Sequence, residues 1–171
     1  MRGAVAAVEK YGSRKATMGD IAMLAGIAKA TLYNHFRTRE DVYLAAVVAE
    51  VGGIASAARS KLPDGFGAAV GEAARLIDQH AAVRKIAADD PAALAALAAV
   101  GDGPAWNDAR TQIADALSSA GYVDSSGAVD LVLRYLASHL LAPSTADDTT
   151  EAAALIAHAV AVSRPGAEER D

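Results

Sequence analysis

The sequence has no cysteine among its 171 residues, which excludes disulfides, thiolate metal sites and cysteine nucleophiles. Aromatic residues make up only 5% of it, and its five prolines fall mostly where helices would end. The alternating valine- or isoleucine-rich runs that strands need are missing. So are a P-loop, a dinucleotide fingerprint, H-E-x-x-H and G-x-S-x-G, so no catalytic residue, cofactor or metal site is expected. No positively charged leader precedes an apolar core, and there is no apolar run of about 18 residues. Neither export nor a membrane span is therefore expected, and a cytoplasmic location is the default.

What the sequence has in abundance is alanine, the main contributor to a hydrophobic content of 53%. Alanine is the best helix former and lets helices pack closely. The expected fold is all-α: a three-helix head over residues 1–45, joined by a long fourth helix to a helical body over residues 46–171, about nine helices. The net charge of −5 hides an asymmetry. Residues 1–50 carry seven Lys/Arg against five Asp/Glu, a net +2, which leaves −7 on the remainder. A mildly basic head on an acidic body suits a small DNA contact held by a body that repels DNA.

Residues 17–36, TMGDIAMLAGIAKATLYNHF, read as two short helices around a tight turn. Ala4, Ala7, Val8 and Tyr11 make one face of a first helix, closed by Gly12 and with no basic arm ahead of it. Thr17 and Asp20 form a capping-box start for the second helix, Gly26 ends it, and Ile27 is expected to plug the turn into the core. In the third helix Leu32 and Phe36 face inward beside Ile21, Leu24 and Val8. Lys29, Ala30, Thr31, Tyr33, Asn34 and His35 then point elsewhere. A short, hydrogen-bonding outer face of this kind is the shape of a major-groove reader. Lys29 offers charge to phosphate or guanine, Thr31 and Tyr33 offer hydroxyls, and the Asn34 amide can pair with adenine. Asn34 is equally readable as a solvated helix residue.

A second cap, Thr38 with Asp41, starts the fourth helix, which Gly52-Gly53 is expected to bend or loosen. Two later stretches, 126–141 and 148–163, are apolar nearly all round. In the first, the polar side narrows to Asp130, Arg134 and Ser138. A surface helix needs only one apolar stripe. These two are therefore expected to pair with their copies as a four-helix dimer interface, through Val129, Val132, Leu133, Leu136, Leu140, Leu155, Ile156 and Val160. His139 and His158 are read as hydrogen-bonded core or interface histidines.

Thr17, Asp20-Ile21-Ala22, Ala25-Gly26-Ile27, Lys29, Thr31-Leu32-Tyr33, His35-Phe36 and Glu40-Asp41 together resemble the tetracycline-repressor (TetR) family. Ala4, Ala7, Val8 and Gly12 also fit the family's first helix. The likeness covers about the first quarter of the chain; beyond it, only length and helical character match. It implies a ligand-responsive homodimeric repressor on a palindromic double-stranded DNA operator. By motif position, Thr17, Tyr33 and His35 would bind phosphates, Lys29, Ala30 and Thr31 would lie in the groove, and Arg39 would meet the DNA backbone. It also implies an effector pocket in the body, and a body rich in Ala, Val and Leu with few polar insertions suggests a small, apolar effector. Candidate pocket residues are Trp106, Arg110 beside it, and His80, with core filler and helix-end residue as the plainer readings of Trp106 and His80. Three departures stand out: Ala28 where the family usually has a Ser cap, Arg39 for a frequent Lys, and no N-terminal arm to add groove or backbone contacts. The first and third support a rival reading, an interaction or sensor protein whose DNA binding is weakened or lost.

Overall fold

The computed structural model describes residues 1–122 and 126–162. Among them the regular structure is ten α-helices and one 3-10 turn, against the nine or so expected. The head holds α1 (Arg2–Tyr11), α2 (Met18–Ala25) and α3 (Lys29–His35). Its core is made of small residues, Ala4, Ala7 and Ala22, around Ile21, Leu32 and Val42. Small residues let the helices meet closely: a Cβ on Gly3 would stand 2.6 Å from Ala25 Cβ. Gly26, at φ 68°, adopts the left-handed conformation that turns α2 toward α3. Ile27 corrects its expected position: it is 41% exposed. It lies at the rim of the head core, whose interior Ile21 and Leu32 already occupy.

The head runs into α4 (Arg39–Arg59), which is helical straight through Gly52 and Gly53. Val42 and Ala46 anchor its first half in the head core, and its second half packs on the body. By length and composition alone α4 could cross a membrane. Its flanks are occupied within the protein, by α1, by α5 (Phe66–Asp78) and by α8 (Pro104–Ser119).

A 3-10 turn (Leu62–Asp64) leads to the body, which adds α6 (Ala81–Asp89), α7 (Pro91–Ala98), α9 (Ser126–Leu141) and α10 (Ala146–Val162). Helix α5 is central, packing against α4, α9 and α10. Gly67 and Gly71 face Ala153 and Ala157 of α10, which brings those two helices close. The body core gathers Phe66, Val70, Ile113, Leu117, Val132 and Leu133. Each such large apolar side chain contributes roughly 1.5–3 kcal/mol on burial.

The proposed interface set divides here. Val129, Val132, Leu133 and Val160 are 8%, 2%, 1% and 4% exposed, so they belong to the core of one chain. The physical reason is α5, which takes one apolar face from each of α9 and α10. Leu136, Leu140 and Ile156 are half-buried and Leu155 is 63% exposed. Leu131 and Leu141 join Leu155 as exposed large apolar residues on these helices. The Asp130–Arg134 pair, 2.6 Å apart, keeps the polar stripe on the outside.

Candidate nucleic-acid interface and body cavity

Helix α3 buries Leu32 alone. Lys29, Ala30, Thr31, Tyr33, Asn34 and His35 are all exposed. Among the described residues, no hydrogen bond to another protein group occupies the side chains of Lys29, Thr31, Tyr33, Asn34 or His35. The Lys29 ammonium sits 5.7 Å from the centre of the Tyr33 ring, so charge and hydroxyl lie on one patch. The N-cap of α3 is Ala28, which has no side chain to cap with.

Two residues placed at the flanks of this patch have work inside the protein. The Thr17 hydroxyl donates to Asp20 Oδ2 at 2.6 Å and accepts from the Asp20 amide at 3.2 Å, completing the capping box. The bonds donated by the Thr17 hydroxyl and amide hold the Asp20 carboxyl below the usual carboxylate range, and those of Thr38 do the same for Asp41. Arg39 donates from Nη1 to the Arg14 and Ala16 carbonyls at 3.0 and 3.2 Å, and from Nη2 to Glu40 at 3.1 Å. Its guanidinium also lies over the Tyr43 ring, and the Tyr43 hydroxyl donates to the Ser13 carbonyl at 3.2 Å. Arg39 thereby fastens the α1–α2 loop to α4.

That loop is also tied to the body. Arg14 forms a two-pronged pair with Asp90, Nε to Oδ2 at 2.7 Å and Nη2 to Oδ1 at 2.9 Å. Asp90 caps α7 as well, accepting from the Ala93 amide at 3.2 Å. The Arg14 bonds hold its carboxyl below the usual range, against the opposing effect of burial. Deeper in the body, His139 is 2% exposed and its Nδ1 lies 2.9 Å from Asp78 Oδ1. This is the hydrogen-bonded core histidine expected at that position, whereas His158 is exposed.

Two apolar cavities, each partly open, flank the second half of α4. One, of about 160 Å³, lies within the body between Ala55, Phe66, Ala73, Ile113 and Leu136. The other, of about 300 Å³, lies between head and body. Trp106 lines both, and His80 lines the second, where its Nε2 is 3.1 Å from Glu50 Oε2. Arg110 lines neither. It caps the Gly101 carbonyl at 2.8 Å and faces a separate shallow groove with Thr111 and Asp130. The pocket expectation for Arg110 is thus corrected, because its backbone partner holds the guanidinium outside the apolar space. Sequence reasoning missed Glu50, Arg14 and Asp78, whose partners are 30, 76 and 61 residues away. No local pattern signals pairings over such separations.

A helix-turn-helix with a free polar face, mounted on an all-helical body, is the build of a DNA-binding transcriptional regulator. Residues 1–46 match the model of the bacterial regulatory proteins of the tetR family. The head thus resembles that family's DNA-binding domain, and the whole chain has the fold seen in solved regulators of the family. It is similar to the TetR family repressor AlkX from Dietzia sp. strain DQ12-45-1b, a protein implicated in biodegradation of n-alkanes. Identity is 21% and the TM-score 0.69, over 93% of this chain and 98% of that one. It is also similar to a putative TetR-family transcriptional regulator from Mesorhizobium loti MAFF303099. There the identity is 16% and the TM-score 0.57, over 92% of this chain and 91% of the other. No curated protein matches the chain.

Proposed function

We propose that the protein is a cytoplasmic, homodimeric and ligand-responsive repressor acting on a palindromic DNA operator. The observation that carries DNA contact is the outer face of α3, where Lys29, Ala30, Thr31, Tyr33, Asn34 and His35 are exposed around a single buried residue. Lys29, Ala30 and Thr31 enter the major groove, Tyr33 and His35 meet phosphates, and Asn34 reaches a base edge. Thr17 and Arg39 lie at the DNA backbone on either side of this face and hold it in shape. Two copies join through the outward sides of α9 and α10, where Leu131, Leu141 and Leu155 are exposed. Dimerisation sets the two α3 helices about one helical turn of DNA apart, roughly 34–36 Å or a distance fixed by the dimer.

The apolar lining of the body cavity favours a small, mainly apolar effector. A ligand that binds better to a body shape with the wrong α3 spacing lowers DNA affinity by its differential affinity for the two shapes. Helix α4 transmits this, since its two halves belong to the head and the body. No catalytic role is assigned. The uncapped start of α3 at Ala28 favours the rival reading, a sensor that has lost DNA binding. A gel shift with the DNA flanking the protein's own gene separates the two. The wild type should shift it, and Lys29→Ala and Tyr33→Ala should each weaken the shift about tenfold while leaving the helical circular dichroism intact. Unchanged binding in both variants would remove the site assignment.

A further inference from the structure

The larger cavity lies where the two hydrophobic cores fail to meet. Ala4, Val8 and Ala46 of the head form one wall, and Ile77, Val83 and Trp106 of the body form the other. The two cavities share Val51, Ile54, Ile77, Trp106 and Leu140, so a molecule filling one presses on side chains that bound the other. The larger cavity's few polar members are informative. The Tyr43 hydroxyl is engaged by the Ser13 carbonyl. Ser13 Oγ and His80 Nδ1, however, are both buried and have no hydrogen-bond partner. Buried polar atoms are nearly always paired, so two unpaired ones lining one apolar space call for a polar group from outside the chain.

We propose that this junction binds a chain-like aliphatic molecule carrying an uncharged hydroxyl head group, with its tail running past Trp106 toward the body cavity. The proposal deepens the effector reading above and rests on it. With Nε2–H directed to Glu50, Nδ1 is the ring nitrogen left open, and as an acceptor it can take a ligand O–H. The Ser13 hydroxyl can donate to the ligand oxygen. A carboxylate head is disfavoured because Glu50 stands 3.1 Å from the same ring. Because one wall is α1, an occupant here bears directly on the DNA-reading head.

Trp106 is the sole tryptophan and lines both cavities, so its fluorescence reports binding, and the His80 and Ser13 variants assign that binding to the junction. The full-length protein would be titrated with 1-nonanol, with methyl octyl ether of the same heavy-atom count, and with nonanoate. The alcohol should bind about tenfold more tightly than the ether, the worth of one buried hydrogen bond, and nonanoate should bind more weakly than the alcohol. His80→Phe keeps a ring and removes the acceptor, and should bring alcohol and ether to parity. Ser13→Ala serves as the second variant and should weaken alcohol and ether alike, since either oxygen accepts from the Ser13 hydroxyl. Equal affinities in the wild type, tighter binding of nonanoate, an undiminished preference in His80→Phe, or unchanged affinity for both probes in Ser13→Ala would overturn the assignment. A protein that still shifts its flanking DNA but shows no Trp106 response to any probe would overturn it while leaving the DNA-binding reading intact.

Discussion

Asp90 does three things at once: it starts α7, it pairs with Arg14, and through that pair it ties the head to the body. Its carboxyl is held below the usual range in the folded protein, so the unfolded chain takes up a proton at higher pH than the folded one does. The stability it contributes is fully present above the unfolded value of about 4 and is lost as pH falls through the lowered one. Asp20 and Asp41, lowered by their caps, act in the same direction. Asp90→Asn should be less stable than the wild type at neutral pH, with the difference shrinking on acidification below about pH 4. Thermal unfolding of both proteins from pH 7 to pH 3 measures this, and a difference that stays constant with pH would remove the ion pair from the explanation.

Helix α4 links the two cores and carries the weakest stretch of helix sequence at its middle. Gly52 and Gly53 sit inside a continuous helix, and a Cβ on either would meet nothing within 4 Å. Neither close packing nor a left-handed backbone explains them, and in a helix each is destabilising by roughly 0.5–1 kcal/mol relative to alanine. They lie between Val51 and Ile54, residues that line both cavities, so the soft point of the connector coincides with the cavity wall. Replacing both with alanine should raise the unfolding free energy by about 1–2 kcal/mol in denaturant titration; no gain would mean that the glycines relieve a strain elsewhere. At this scale the sequence was highly legible. Thr17 and Thr38 with their aspartates, Gly12, Gly26 and the Asp90-Pro91 start all act as local rules require, because caps and turns depend on neighbours a few residues away. The burial of α9 and α10 was less legible. Periodicity registers that a residue is apolar without saying which of two partners covers it, so Val132 and Leu133 read as interface although α5 covers them.

Across the whole molecule, two cores are joined by α4 and by the Arg14–Asp90 pair, with a cavity left between them. None of these ties is local in sequence, which is why Glu50 and Asp90 went unread as partners while α3 was read residue by residue. Pairing of two such molecules is expected through Leu155 and its neighbours. Because Leu155 is 63% exposed, Leu155→Glu should leave the protomer folded yet shift sedimentation from dimer to monomer; a dimer of unchanged strength would place the interface elsewhere. In the proposed function dimerisation matters because two α3 helices would span two half-sites, each adding phosphate contacts. The most direct test of the DNA-binding assignment is the salt dependence of binding to the flanking DNA, followed by fluorescence anisotropy on a labelled duplex. With several phosphates neutralised, affinity should fall by about 10³ or more between roughly 50 and 200 mM salt, linearly on logarithmic axes. A dissociation constant that stays flat across that range would contradict the assignment of α3 as a DNA reader.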